Sequence, residues 1–238
     1  MGKTMTIARR EVAGYFFSPV GYIVSALFLE ATGIYFFARL FIPGQEATLK
    51  PLFDWMAYMM VFAAPLLTMR LLSEEYRSGT VETLMTAPVT DTQVILGKYI
   101  GVLAFYMVLL MLTCVFLFLM IGFAGPDMGV AAMGYLGLVM LGAAYLSVGL
   151  FASTLTKYQL LAFLISVVIL AGFAILMHLA VPYVTGTTAE LISRMNAMSY
   201  FKGFSRGILD TRGVVFFLTW TATFLFLSVK VLESRRWR

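Results

Sequence analysis

Six runs of about 20 mainly apolar residues divide the chain, at about 20–42, 52–72, 94–123, 129–154, 158–181 and 214–232. A helix needs roughly 20 such residues to cross the hydrocarbon core. In lipid every backbone polar group must be satisfied within the protein, which leaves helices or a closed barrel. Runs of this length without strand-like alternation are helices. The balance of residue types agrees: 61% are apolar and only 12% charged, against about a quarter charged in soluble domains. The expected fold is an all-α membrane protein, one transmembrane domain over residues 1–238. Cys114 is the single cysteine, so no intrachain disulfide can form. The net charge of +5 is small and dispersed, and nothing in it points to nucleic acid.

An even number of spans puts both termini on one side, and Lys and Arg choose the side. One set of flanks holds Lys3, Arg9, Arg10, Arg70, Arg77, Lys98, Lys157, Lys230, Arg235, Arg236 and Arg238. The other holds Arg39, Lys50, Arg194, Lys202, Arg206 and Arg212. Eleven against six makes both termini and the stretch from 69 to 98 cytosolic. The first run is too long for a signal-peptide core, contains Glu30 and lacks a small-residue cleavage site, so it reads as a span.

Residues 1–18 form a separate piece. Met5, Ala8, Val12, Tyr15 and Phe16 recur at helical spacing around Arg9, Arg10 and Glu11, which predicts an amphipathic helix on the cytosolic leaflet. Ser18-Pro19 ends it, because the residue before proline avoids the α region.

The stretch 69–98 is the long polar interruption, a cytosolic elbow carrying Arg70, Glu74, Glu75, Arg77, Glu82 and Asp91. The second span is expected to continue as a helix to about Arg77, with Ser78-Gly79 as its break. A short helix follows from about Thr80 to Ala87, with Glu82 near its positive end, and Pro88 stops it. Thr90-x-x-Gln93 reads as a capping box, with Val89 and Val94 as a hydrophobic staple. Thr156-x-x-Gln159 repeats the pattern around Lys157, with Leu155 and Leu160 in the staple positions. Two rigid turns on one side of a membrane suit the transmission of force to a soluble partner.

The run SEEYRSGTVETLMTAPVTDTQVILGKY resembles the cytosolic signature of type-2 ABC exporter permeases. With the C-terminal stretch that ends in Glu233-Ser-Arg-Arg-Trp237, it is closest to the gliding-motility-associated permease subgroup. The N-terminal amphipathic helix followed by six spans matches that family's layout. The resemblance implies that the helix at about Thr80–Ala87 is a coupling helix that docks on a separate ATPase. Glu74, Glu75, Arg77, Gly79, Thr80, Glu82 and Pro88 are the positions carried over. It further implies a non-catalytic permease subunit in a bacterial inner membrane, with no cofactor of its own and ATP and Mg held by the partner ATPase. A second permease copy or a homologous permease would complete the pathway, and the layout leaves room for an auxiliary extracytoplasmic subunit. The residues agree in one respect: there is no G-x-x-x-x-G-K-[ST] phosphate loop, Thr92 standing where Gly97-Lys98 would need the first glycine. An anchor for an ATP-driven envelope or motility machine would carry the same elbow. A secondary transporter, the remaining alternative, would show inverted repeats and several buried ionisable groups.

Other signals are weaker. Residues 183–213 lie between the last two runs. Leu191, Met195 and Met198, and Phe201, Phe204 and Ile208, recur at helical spacing, which predicts two short helices at the outer surface with Lys202 and Arg206 facing headgroups. Gly203-Phe-Ser-Arg-Gly207 matches G-x-S-x-G, but a nucleophile elbow needs a strand–turn–helix setting and a base, and the only histidine, His178, precedes the serine. No catalytic or metal site is expected. Glu30 lies midway along the first span, where a carboxylate is costly; bonding at a helix interface is the expected role. Gly97/Gly101 and Gly149/Ser153 are small pairs at i, i+4 suited to close helix packing.

Overall fold

A computed structural model describes residues 2–40, 48–80, 89–173 and 196–236, and among these the elements are helices. They are α1 (Lys3–Phe16), α2 (Pro19–Tyr35) with a π-helical turn over Phe36–Leu40, α3 (Lys50–Thr68) and α4 (Ser73–Ser78). Then come α5 (Asp91–Ala124), α6 (Met128–Leu155), α7 (Gln159–Ala171), α8 (Ala197–Ser205) and α9 (Thr211–Arg236). Among the described residues, five stretches are long and apolar enough to cross a membrane: Pro19–Leu40, Lys50–Ser78, Asp91–Gly122, Met128–Leu155 and Thr211–Arg235. The sixth expected span, 158–181, is described only to residue 173, and its described helix α7 is apolar but short.

The helix boundaries follow local chemistry. Ser18 caps α2, its Oγ accepting from the Val20 N–H, and Pro19 occupies the first turn, where a missing N–H costs nothing. Asp127 caps α6 by accepting from the N–H groups of Gly129 and Val130. At Thr90 the expected capping box is present in full, with both reciprocal bonds made.

The bundle is organised around α6, which packs against α3, α5, α7, α8 and α9. From Leu141 to Leu150 nearly every α6 residue is buried, and a helix enclosed on all sides has no need of a polar face. Its close contacts are made where a side chain is absent. A Cβ on Gly142 would run into the Tyr106 ring, and one on Gly149 would run into Thr68 Oγ1. The Gly149/Ser153 pair is thus where α6 receives the end of α3. Gly97 and Gly101 receive α1 instead: their Cβ atoms would lie 2.8 Å from Ile7 and 2.6 Å from Glu11.

The described residues add detail to two expectations and correct one, the unbroken second span. The N-terminal helix buries Ala8 and Tyr15 against the protein, while Met5 and Phe16 stay exposed. Its inward face is set by docking on α5, so the simple apolar stripe is rotated. The second span does not continue unbroken to Arg77: α3 ends at Thr68, a turn occupies 69–72 and α4 starts at Ser73. Of the residues between the last two runs, one short helix is described, α8, with Met198, Phe201 and Phe204 buried against the bundle, Lys202 half-buried, and Arg206 and Ile208 exposed. Leu191 and Met195 fall outside the described residues. Ser205 is buried at the end of α8 and donates to the Lys202 carbonyl, a helical setting that rules out a nucleophile elbow.

Overfilling the α3–α6 contact should destabilise the bundle. Gly149→Ala is expected to lower stability by about 1–3 kcal/mol, the usual effect of an extra methyl in a packed core. Thr68→Ala in the same chain should restore part of the loss, as read by thermal unfolding of the purified protein in detergent. Equal melting of Gly149→Ala and the parent would show that this approach is not tight.

Candidate functional site

The elbow is built upward from the end of α3. Pro65 lies within that helix, and Thr68 returns its hydroxyl to the Ala64 carbonyl at 2.7 Å. The turn that follows has backbone groups without helical partners, and α6 supplies them. Ser153 Oγ accepts from the N–H groups of Leu72 and Ser73 at 2.9 and 3.1 Å and donates to the Met69 carbonyl at 3.3 Å. One hydroxyl therefore fixes the bend that redirects the chain into α4.

Helix α4 carries Glu74, Glu75, Tyr76 and Arg77, with its two acids in the first turn, where they complement the helix dipole. Gly79 ends it with φ +74°, a left-handed conformation that glycine adopts without steric cost. Glu74, Arg77, Gly79 and Thr80 are exposed around the tip. Ser78 and Thr80 hydroxyls lie 2.9 Å apart. Glu82 and Pro88, and the expected short helix beyond Thr80, fall outside the described residues.

Glu75 has a different setting. Lys98 of α5, with 1% of its side chain exposed, donates to Glu75 Oε1 at 2.7 Å and to Glu11 Oε1 at 2.8 Å. Arg10 stands 3.5 Å from the same Glu75 oxygen and 3.7 Å from Glu11. Two cations and two anions thus form a neutral cluster that joins α1, α4 and α5. A buried lysine is tolerated where partners satisfy its charge and its donors, and here the two carboxylates come from two other helices.

Two arginines complete the framework. Arg70 donates to Ser18 Oγ and to the Gly14 carbonyl, and its guanidinium lies 5.2 Å from the Tyr15 ring centroid. Tyr15 in turn donates to the Leu67 carbonyl, and burial pushes its phenol well above the ordinary range. At the other side Arg235 of α9 donates to the Leu155 carbonyl at 2.6 Å and covers the Tyr76 ring at 4.5 Å.

The second turn differs from its expected capping box. Gln159 is the first residue of α7, so it cannot act as the fourth residue of a cap. Thr156 Oγ1 instead accepts from the Tyr158 N–H at 3.1 Å, a local turn of the kind threonine favours. Lys157 is exposed, with its ammonium 5.5 Å from the Tyr158 ring. Glu30 sits on the exposed side of α2 beside Ile23, Leu27 and Ile34, away from this chain's own helix interfaces. His178 lies outside the described residues. Arg10, Glu11, Lys98, Ser153 and Arg235 were not singled out as site residues from the sequence. The available signal was the Gly97/Gly101 pair, which brackets Lys98 and brings a second helix against it.

Removing the buried cation should leave two carboxylates with only the exposed Arg10 to balance them. Lys98→Met is expected to cost about 3–5 kcal/mol, the range for breaking a buried ion pair from one side. Glu11→Gln and Glu75→Gln should each cost less, and in Lys98→Met they should partly restore stability. Thermal unfolding of the set measures this coupling; additive losses would mean that the three groups act separately.

No curated protein matches this chain. The family described as ABC-2 family transporter protein has a model that matches residues 16–235, a span that includes the long apolar helices and the whole elbow. With its several long apolar helices and that match, the chain is a multi-pass integral membrane protein and belongs to the ABC-2 transporter family, as a permease subunit of an ABC transporter.

Proposed function

We propose that this chain is the membrane-spanning half of an ATP-driven exporter, with a separate ATPase docking at the elbow and driving movement of a cargo across the membrane. The supporting observation is the way α4 is held. Its start is pinned to α6 by Ser153, its Glu75 to α1 and α5 through Lys98, and its Tyr76 to α9 through Arg235. A load applied at the exposed tip would therefore reach four other helices without first bending the elbow. Glu74, Arg77, Gly79 and Thr80, with Glu82 and Pro88 beyond them, are the surface offered to the ATPase. Glu75 contributes by fixing that surface. ATP and magnesium belong to the partner chain. In this reading both termini and the elbow face the cytosol of a bacterium, the membrane is its inner one, and the gliding-motility-associated permeases are the nearest subgroup.

A paired permease accounts for the position of Glu30. The exposed face of α2 is apolar apart from this carboxylate, and a carboxylate at mid-membrane is costly against lipid. A second permease copy or a homologous chain packed on α2 would give it a hydrogen-bond partner away from lipid.

Pull-down of the tagged chain from native membranes should recover an ATPase in roughly equal amount. Charge reversal at the tip, Glu74→Lys with Arg77→Glu, should reduce that recovery at least several-fold while membrane insertion and melting stay unchanged. Full recovery of the ATPase by this variant would remove the tip from the docking surface.

The paired arrangement makes its own prediction. Leu27→Cys in a Cys114→Ser background should cross-link to a second permease chain in native membranes. Glu30→Gln should keep the cross-link, since it still hydrogen-bonds, and Glu30→Leu should weaken it. Absence of any cross-link across α2 positions would place the partner on another face.

A further inference from the structure

The last turn of α1 borders two hollows. Gly14 and Ser18 line a polar cleft of about 290 Å³ together with Arg70 and Glu74. Tyr15 and Phe16 line an apolar notch of about 110 Å³ with Tyr22 of α2 and Phe105, Val108 and Leu112 of α5. Pro19 opens the first long apolar stretch, and Arg70 follows the end of α3 at Thr68. The cleft therefore stands at the end of two spans, the level of lipid headgroups. The notch runs along the outer faces of α2 and α5, where Tyr22, Val108 and Leu112 are exposed, so in a membrane it opens to acyl chains. Phe17, at the corner between α1 and α2, is 88% exposed, an apolar ring that only lipid would cover.

The cleft holds a cation with spare donors. Arg70 donates to Ser18 Oγ and to the Gly14 carbonyl, which leaves further N–H groups of its guanidinium unused. Among the described residues it has no carboxylate partner. Glu11 and Glu75 of the same cleft are engaged by Lys98 and Arg10. Ser18 Oγ accepts from Arg70 and from the Val20 N–H at 3.3 Å, so its own proton is left to give. Both side chains belong to half-buried residues, which keeps these donors within reach of a ligand. A guanidinium with a neighbouring hydroxyl donor suits a phosphate. The notch begins one ring away: the guanidinium stands 5.2 Å from the Tyr15 centroid, and Tyr15 stacks on Phe105 at 4.8 Å. A phosphate and an acyl chain joined through glycerol cover a step of that size.

We infer that the corner between α1 and α2 holds a glycerophospholipid, its phosphodiester at Arg70 and Ser18 and one acyl chain in the notch lined by Tyr15 and Phe105. Glu74 works against it. Its carboxylate is exposed in the same cleft and makes no ion pair among the described residues, so it repels the phosphate and marks where the phosphate sits. Binding belongs to this chain alone and is measured without an ATPase, so the outcome is independent of docking at the elbow.

The experiment is native mass spectrometry and competition binding on the whole chain in detergent. The probes are a short-chain phosphatidylglycerol, the diacylglycerol with the same chains and water-soluble glycerol 3-phosphate. Phosphatidylglycerol should bind at least about tenfold more tightly than diacylglycerol, the usual worth of a hydrogen bond to a charged group. Arg70→Gln should bring the two to parity. Val108→Trp, which fills the notch, should weaken both several-fold and keep the preference. Glu74→Gln should strengthen phosphatidylglycerol several-fold, leave diacylglycerol unchanged and keep the melting temperature, so it decides the matter even if Arg70→Gln unfolds early. Glycerol 3-phosphate at equal concentration should not displace the phospholipid. Equal binding of the two lipids by the parent chain overturns the inference, as does displacement by glycerol 3-phosphate. Unchanged phosphatidylglycerol affinity in Glu74→Gln overturns it too.

Discussion

A single ammonium group, Lys98 Nζ, sets the relation of three helices. It is almost wholly enclosed, and its two carboxylate partners come from α1 and α4. Without them a lysine in this position would be an uncompensated buried charge. With them, α1 cannot leave α5 without taking one of the two carboxylates that enclose the ammonium, and α4 cannot swing away without taking the other. The close approach that makes this geometry possible is steric: α1 reaches Lys98 because Gly97 and Gly101 leave room for Ile7 and Glu11. Charge and shape select the same arrangement, which is the consistency expected of a well-specified interface.

The rest of the elbow uses the same logic with weaker bonds. Ser153 supplies an acceptor for two amides at a bend where helix geometry leaves them unpaired, and Arg235 supplies a cation to the last carbonyl of α6 and to the face of Tyr76. Each of these hydrogen bonds joins residues 80 or 81 positions apart in the chain, and the Arg235 ring contact spans still more. An element of only six residues has little intrinsic helical stability. The orientation of α4 is therefore a property of the bundle around it.

Much of the architecture was legible in the sequence because length and hydropathy decide spans in lipid. The runs beginning near 20, 52, 94, 129 and 214 all appear as long helices. The Thr90 cap and the Gly79 stop were also legible, since both depend on chemistry within four residues. What was not legible depends on distant partners. The break at 69–72 exists because Ser153 satisfies it, and nothing near Met69 announces a serine from α6. The Thr156 pattern had the right spacing for a cap, but Lys157 and Tyr158 hold the chain out of the helix until Gln159. Glu75 reads as one more elbow charge until Lys98 is brought against it. Lys98 itself reads as a flanking residue because apolar runs give no hint of which helix lies alongside.

The order of these partners along the chain has a consequence for biogenesis. Synthesis proceeds from the N-terminus, and domains assemble as their parts emerge. Glu11 and Glu75 both precede Lys98, so the lysine meets waiting partners as α5 packs and is never buried unpaired. Arg235 comes last of all. Until α9 arrives, Tyr76 lacks its covering guanidinium and α4 is held only through Ser153 and Lys98. A nascent chain stalled before α9 would thus hold an elbow already formed but not yet braced by Arg235.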